Sequence, residues 1–194
     1  VSQTFCDTEM LALESAGHRV TVASLNPPPN SFRHERLASL KAEAIYPPPG
    51  VVLDAAPEDT PEWRAMQTLA AAHETAYGPK HKPLTRARNA MWMAPQLRRR
   101  GVQHIHVHFA NRATHTALFL KKAGLTFSFT AHAQDFMVDL GSDDLLREMI
   151  REAEFVIAVS DFSRQLLVEK APDHADKIIR IYNGIDASRF PAAL

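Results

Sequence analysis

Hydrophobic and polar positions follow two different periods along this chain, and the changes between them define the predicted elements. After Gly101, short apolar runs of strand type alternate with segments in which apolar residues recur every three or four positions. The order over residues 101–183 is β-α-β-α-β-α-β. Because strands that alternate with helices form parallel sheets with right-handed crossovers, the pattern predicts an α/β fold with a Rossmann-like doubly wound parallel sheet. The strands are predicted at 104–109, 125–131, 155–160 and 177–182, and the helices at 112–123, 143–153 and 161–170.

The first hundred residues carry a less regular form of the same pattern. Gly17 ends the first predicted helix, and Pro95 is expected to kink or split the last one in this half, since proline lacks the backbone N–H of a helix interior. Residues 26–60 are rich in proline and favour irregular structure. The predicted elements are a helix at 4–16, a strand at 18–24, a short helix near 36–42, a short strand near 44–46, and helices at 61–77 and 84–100.

Polar residues follow each of the four strands predicted after Gly101. In doubly wound sheets, ligands bind beyond the carboxyl ends of the strands, so these positions are candidates for a binding site. The serines among them have an alternative role as helix caps, and Ser142 is a further candidate cap. The candidates are His108, Asn111, His132, Asp135, Ser160, Asn183 and Gly184.

His132 is the strongest single candidate for a catalytic residue. It follows an apolar strand, and Asp135 comes three residues later. A histidine in this position can donate a hydrogen bond to a substrate or move a proton. The alternative is a loop histidine that hydrogen-bonds only to backbone groups.

Three histidines, His104, His106 and His108, alternate along one predicted strand and therefore share one of its faces. The outer two lie roughly 13 Å apart, too far to bind one metal ion. Two of the three could chelate zinc with help from His115 or His132. The other interpretation is a partly polar strand with His108 at the cleft, and we predict no metal and no cofactor.

Composition and charge exclude several classes of protein. The 194 residues hold 22 Lys+Arg and 22 Asp+Glu, which disfavours a nucleic-acid binder with a basic surface throughout. Cys6 is the one cysteine, so neither an intrachain disulfide nor a cysteine-based zinc site can form. No apolar run of about 18 residues predicts a membrane span. A glycine-rich phosphate loop is absent too, which disfavours a dehydrogenase.

Residues 80–100 hold seven basic residues and no acidic one, with Trp92 between two basic groups. A basic amphipathic helix with an aromatic residue favours contact with an anionic membrane surface. The alternative is a solvated, salt-bridged face with Trp92 packed inward. The membrane-surface candidates are Arg86, Arg88, Trp92, Arg98, Arg99 and Arg100.

Six segments, in register along nearly the whole chain, resemble motifs of the family 4 retaining glycosyltransferases with the GT-B fold. The first matches the helix start S-[EQ]-T-F-x-x-x-E of bacterial exopolysaccharide members, the third the strand end H-x-H-F-[AG], and the fourth the segment T-x-H-x-x-D. The segments are Ser2–Phe5 with Glu9, Gly17–Val22, His106–Ala110, Phe129–Asp135, Ala158–Ser163, and Ile181–Asp186 with Phe190.

The resemblance implies one half of a two-domain enzyme. Residues 1–186 would be a Rossmann-like, acceptor-side domain and 187–194 the start of a linker, with the nucleotide-sugar domain outside these residues. A first strand, expected before Ser2, and the second domain are both missing from this stretch, so we expect these 194 residues alone to be inactive. The whole enzyme would move a hexose from a nucleotide-sugar to a saccharide or lipid-linked saccharide with retention of configuration. It would work in the cytoplasm, on the inner face of the plasma membrane.

The resemblance also implies roles for single residues. His132 would hydrogen-bond the donor hexose, and Asp135 would act with it and shape its loop. The implied substrate-binding residues are Ser2, Thr4, Glu9, His108, Asn111, Ser160, Asn183 and Gly184. The alternative to an enzyme is a non-catalytic α/β module that docks on a membrane or a partner through residues 80–100.

Overall fold

The computed structural model describes residues 4–27, 35–50, 59–132, 134–137 and 142–184. In these residues the strands are β1 (Thr21–Ala23), β2 (Glu43–Ile45), β3 (His104–His108), β4 (Thr126–Ala131), β5 (Val156–Ala158) and β6 (Ile178–Arg180). The helices are α1 (Thr4–Ser15), α2 (Pro61–Tyr77), α3 (Pro83–Arg99), α4 (Arg112–Lys122), α5 (Gln134–Met137), α6 (Asp143–Glu152) and α7 (Asp161–Lys170), and 3₁₀ turns cover Glu35–Ser39, Pro79–His81 and Pro172–Lys177.

Strands β3, β4, β5 and β6 form one parallel sheet in that order, with His104 opposite Thr126 and Val156 opposite Ile178. The predicted α/β fold with parallel strands is confirmed. The face of this sheet that carries Phe127 and Phe129 is apolar, and both rings are buried, as is Val156 of β5.

Strands β1 and β2 form a second, two-stranded parallel sheet, with Thr21 opposite Glu43. A second hydrophobic core lies between α2, α3 and α4, where helix α3 packs against both of its neighbours. Trp63 and Met66 of α2 and Phe119 of α4 are buried in it. The segment before Gly101 is therefore joined to the larger sheet through helix packing.

Helix α3 runs without interruption from Pro83 to Arg99, so the prediction that Pro95 splits it is wrong. Met93, Ala94 and Leu97 are buried beside this proline in the same core. Packing on both sides of Pro95 stabilises the continuous helix, although proline removes one backbone hydrogen bond, and the predicted kink stays a prediction.

An open cleft of about 1280 Å³ lies between the two sheets, and its walls come from α1, β1 and β3. Residues 103 and 109, which flank β3, bond to β4, through Thr126 N–H to Gln103 O and Phe109 N–H to Thr130 O. Because bonding alternates along a strand, the backbone groups of His104, His106 and His108 point to the other side, into the cleft. The strand expected before Ser2 belongs at this place in a doubly wound order, and it stays a prediction.

No helix in the described part of the chain is both long enough and apolar enough to cross a membrane.

Candidate functional site

His132 stands at the carboxyl end of β4, directly after Ala131. Its ring lies between two phenylalanines, with centroid distances of 4.6 Å to Phe5 of α1 and 4.6 Å to Phe109. The ring of His108 is 6.0 Å away. The two aromatic contacts fix the orientation of the imidazole. No sequence pattern placed Phe5 or Phe109 beside His132, since they come from other elements.

The imidazole of His132 is electrically neutral at pH 7. Burial, followed by the nearby His108, lowers its pKa to about 4. Its Nε2 is buried and has no hydrogen-bond partner among the described residues. A buried ring nitrogen without a partner is uncommon, and here it lies next to His108 and Phe109, which line the cleft.

Asp135 is buried, and its carboxylate joins the ends of two strands. Oδ2 accepts the backbone N–H of Ala110 at 2.8 Å and that of His132 at 3.0 Å. Burial raises the pKa of Asp135, and these two hydrogen bonds act in the opposite direction. The geometry therefore shows how Asp135 positions the loop of His132, and the catalytic role expected from the sequence stays a prediction.

Phe109 has a φ of 75°, in the left-handed region that side chains other than glycine seldom adopt. The hydroxyl of Thr114 donates to the Phe109 carbonyl at 2.6 Å, and the Phe109 N–H donates to Thr130. These bonds hold the strained backbone in the conformation that turns the Phe109 ring onto His132. Strain of this kind concentrates at functional sites.

His108 and Glu9 face each other across the cleft, with 3.5 Å between Nε2 and Oε2. Burial lowers the pKa of His108 and raises that of Glu9. Nδ1 of His108 is buried without a hydrogen-bond partner in the described part of the chain. The structure thus brings together the candidates Glu9, His108 and His132.

A row of histidines and hydroxyl groups, which we call the polar ladder, runs along β3 and β4. Each imidazole bonds to two hydroxyl groups, at 2.8 or 2.9 Å. The order along the polar ladder is Thr126, His104, Ser128, His106, Thr130. The sequence signal for the polar ladder was the alternation of histidines in one strand and the pattern Thr-x-Ser-x-Thr in the next.

The direction of the bonds in the polar ladder follows from its outer end. Thr126 donates its hydroxyl proton to the Gln103 carbonyl, so it accepts from Nδ1–H of His104. Burial lowers the pKa of His104 and of His106, to about 4 in the second case, so each ring carries one N–H. Ser128 therefore donates to His104 and accepts from Nδ1–H of His106, whose Nε2 accepts from Thr130.

One group of possible metal ligands is present within the residues that the structure describes. Glu9, His106 and His108 each place a ligand atom within 4.8 Å of the other two. His115, which the sequence offered as a third ligand, instead lies in a different cluster, against His73.

The remaining strand-end candidates are separate from the cleft or are helix caps. Asn111 accepts from Ala113 N–H at the start of α4, and Ser160 accepts from Ser163 N–H at the start of α7. Ser142 caps α6, as predicted. Strand β6 lies three strand spacings, about 14 Å, from β3, so the strand ends form a row along the sheet edge.

Four of the predicted residues lie near the limits of the described structure. Asn183 and Gly184 follow β6 and are exposed. Thr4 is the first residue of α1. Ser2 lies outside the described residues.

The basic segment 80–100 differs from the predicted membrane face. Arg86 is buried and bonds to the His81 carbonyl, so its assignment to a membrane surface is wrong. Trp92 packs partly buried against the core between α2, α3 and α4, which confirms the alternative of an inward tryptophan.

The last arginines of that segment differ in their contacts. Arg100 pairs with Glu43 at 2.8 Å, and Arg98 donates to the Ala123 carbonyl. Arg98 and Arg99 are exposed, and Arg88 is half-buried. The exposed part of the predicted surface is thus limited to the end of α3.

A buried cluster away from the cleft had no sequence signal. Nδ1 of His73 lies 2.9 Å from Nε2 of His115, and Nε2 of His73 lies 3.4 Å from Glu148 Oε2. Tyr77 donates to the same carboxylate oxygen at 2.7 Å. These residues come from α2, α4 and α6, so only the packing of the helices brings them together.

A comparison with protein-family models decides the class of the protein, because the model of Glycosyltransferase Family 4 matches residues 3–189. The chain belongs to Glycosyltransferase Family 4. No curated protein matches the chain in a sequence comparison. Membership confirms the family 4 resemblance and the Rossmann-like fold, and it implies sugar-donor and acceptor substrates in general.

Proposed function

We propose that this domain is the acceptor side of a retaining hexosyltransferase, which uses a nucleotide-sugar and a saccharide or lipid-linked saccharide acceptor in bacterial exopolysaccharide synthesis. Family membership supports the glycosyltransferase class. The observation that carries the proposal to a site is His132, a neutral imidazole whose Nε2 has no partner among the described residues and whose ring contacts Phe109, a residue that lines the cleft.

His132 positions the sugar and leaves the proton transfer to other groups. A neutral imidazole binds a sugar hydroxyl through one hydrogen bond and adds no charge. The rings of Phe5 and Phe109 hold that imidazole in one orientation. Asp135 accepts hydrogen bonds from the backbone of both His132 and Ala110, so the position of the His132 ring also depends on the end of β3. Such prior positioning lowers the barrier of a transfer between two bound substrates.

The proposed transfer uses no nucleophile from the protein. The bond between the anomeric carbon and the leaving phosphate oxygen breaks, and a bond to the acceptor oxygen forms on the same face of the sugar. The acceptor hydroxyl proton goes to the leaving phosphate group. In this mechanism the protein contributes position and charge stabilisation.

We also propose a cytoplasmic, membrane-associated location, and the exposed Arg98 and Arg99 at the end of α3 support the membrane contact. Their guanidinium groups can meet anionic lipid headgroups. Arg86 and Trp92 take no part in this surface, because they face the core.

The test of the proposal is His132→Ala in a polypeptide that carries these residues together with a nucleotide-sugar domain. Removal of one positioned hydrogen-bond donor lowers turnover by about 100-fold or more. The matched control is His174→Ala, which changes a histidine in the 3₁₀ turn Pro172–Lys177, away from the cleft. Transfer and donor hydrolysis are measured with the fold checked by circular dichroism.

Near-normal turnover of His132→Ala would show that this histidine is only structural. Tight binding to anionic vesicles without any binding of sugar nucleotides would favour the non-catalytic module instead.

A further inference from the structure

A second, smaller cavity of about 200 Å³ lies among the 3₁₀ turn Pro79–His81, the start of α4 and the first half of α6. We propose that it binds the phosphate group of a phosphorylated sugar acceptor, held by Lys80, His81 and Arg112. The inference rests on the proposed function, because it names the class of acceptor. Pockets that hold a whole small molecule have roughly 300–1,000 Å³, so this cavity suits one group of a larger ligand.

Positive charges gather at this cavity. Lys80 and Arg112 are exposed, and neither has an ion-pair partner in the part of the chain that the structure describes. Burial, followed by Lys80 and Arg86, lowers the pKa of His81, and burial, followed by Arg112, lowers that of Arg86. The positive charges therefore act on one another, and an anion bound between them relieves their repulsion.

No acidic residue balances this charge in the lining of the cavity, as far as the described residues show. The carboxylates of α6 nearest its start have partners elsewhere. Those partners are Lys170 for Asp143, Arg147 for Asp144, and Tyr77 for Glu148. The lining is thus selective for an anion over a cation.

The lining also offers hydrogen bonds to an oxygen-rich group. Nε2 of His81 is buried and has no hydrogen-bond partner among the described residues. A buried polar atom in this state is costly, and a phosphate oxygen can accept from its N–H tautomer. Helices α4 and α6 both begin at the cavity, at Asn111 and Ser142, and the partial positive charge of a helix N-terminus favours the same kind of ligand.

The cavity adjoins the cleft. Asn111 and Arg112 line both. Ala110, which also lines the cavity, donates its backbone N–H to the Asp135 oxygen that accepts from His132. A sugar whose phosphate occupies the cavity can therefore extend past Asn111 and Arg112 into the cleft. This geometry connects the phosphate to the site proposed for transfer.

The experiment is a titration of the 194-residue chain at constant ionic strength, with inorganic phosphate, glucose 6-phosphate and glucose as separate probes. Binding is followed by the ¹⁵N shifts of the histidine rings. We expect the ring of His81 to shift saturably with both phosphates and to stay unchanged with glucose. The ring of His174, in the 3₁₀ turn Pro172–Lys177, should not respond to any of the three.

Variants assign the binding to the cavity. Lys80→Gln and Arg112→Gln each weaken phosphate binding by about tenfold or more, as loss of a hydrogen bond to a charged group does. Both side chains are exposed, so neither change disturbs a core. The matched control Lys122→Gln removes a charge from the other end of α4, about 15 Å away, and keeps the affinity within about threefold of the parent.

Two sources can supply the phosphate: a soluble sugar phosphate or a lipid-linked saccharide. Phosphatidylcholine vesicles that carry an isoprenyl diphosphate saccharide test the second source by cosedimentation. Binding of either probe that Arg112→Gln weakens supports the cavity, and the tighter of the two identifies the source.

Three results would overturn the inference. They are an unshifted His81 ring with both phosphates, equal affinities in Arg112→Gln and Lys122→Gln, and a nucleoside diphosphate that binds more tightly than any phosphorylated acceptor, which would assign the anion to the donor. No donor sugar is present in these measurements, so their failure leaves the proposed transfer untouched. Inactive transfer together with intact phosphate binding would instead remove the proposed function and keep the phosphate site.

Discussion

The burial of His115 makes protein stability depend on pH in a way that can be calculated. Burial, followed by the neighbouring His73, Arg86 and His81, lowers the pKa of His115 to about 3, against the partial compensation of Glu148. The ring is 2% exposed. In the unfolded chain the pKa of this histidine is about 6.5.

The direction of the pH effect on stability depends on whether the folded or the unfolded state takes up the proton. Between pH 6.5 and pH 3 the unfolded chain protonates His115 and the folded chain keeps it neutral. Unfolding is therefore favoured as the pH falls, and the penalty is absent above the unfolded pKa. From the two pKa values, about 2 kcal/mol of stability is lost between pH 7 and pH 5 at this one site.

The perturbation that isolates this contribution is His115→Gln. Glutamine does not titrate, and its amide can donate to Nδ1 of His73 in place of the imidazole. Free energies of unfolding come from urea titrations at pH 7 and pH 5. We expect the stability gap between parent and variant to shift by about 2 kcal/mol in favour of the variant at pH 5.

The matched control is His174→Gln, at a residue outside the buried cluster, whose pH dependence should follow that of the parent. Parallel pH profiles for the parent and His115→Gln would refute the reasoning, because they would mean that His115 is protonated equally in both states.

Three further predictions follow from the site and its surroundings. Asp135→Ala leaves two buried backbone N–H groups without their carboxylate acceptor and should cost about 3 kcal/mol of unfolding free energy in a urea titration, whereas an unchanged midpoint would remove its positioning role. Ser128→Ala breaks the polar ladder at its centre and should cost about 2 kcal/mol; it should also change the ¹⁵N shifts of both ladder histidines, and unaltered shifts would contradict the assigned bond directions. Arg98→Glu with Arg99→Glu should weaken binding to anionic vesicles severalfold and leave binding to neutral vesicles unchanged, and equal binding would discard the membrane surface.

The order of elements was predictable because each segment after Gly101 has one clear period. The bounds of α7 match the predicted 161–170, and β4 begins within one residue of its prediction. Apolar strands under helices and helices with one apolar stripe are the patterns that local sequence records best. The helix caps were predictable for the same reason, since Ser142 and Ser160 stand directly before their helices.

The contacts of the site were less predictable because they join distant segments. The place of His132 at the end of β4 came from the pattern, whereas Phe5 reaches it from α1 and Phe109 through a left-handed backbone. The prediction of a membrane-surface role from charge was wrong for Arg86, because the sequence does not show that its side of α3 faces the core. The prediction that Pro95 splits α3 was wrong for a related reason, since packing outweighed the local preference of proline against a helix interior.

The cleft side of β3 has a consequence for handling the protein in solution. The backbone groups of His104, His106 and His108 point away from β4, and no strand of the described residues pairs with this side of β3. Such edges act as templates on which a strand of another molecule can pair. We expect the purified chain to aggregate as its concentration rises, and a short peptide that pairs with β3 to keep it monomeric.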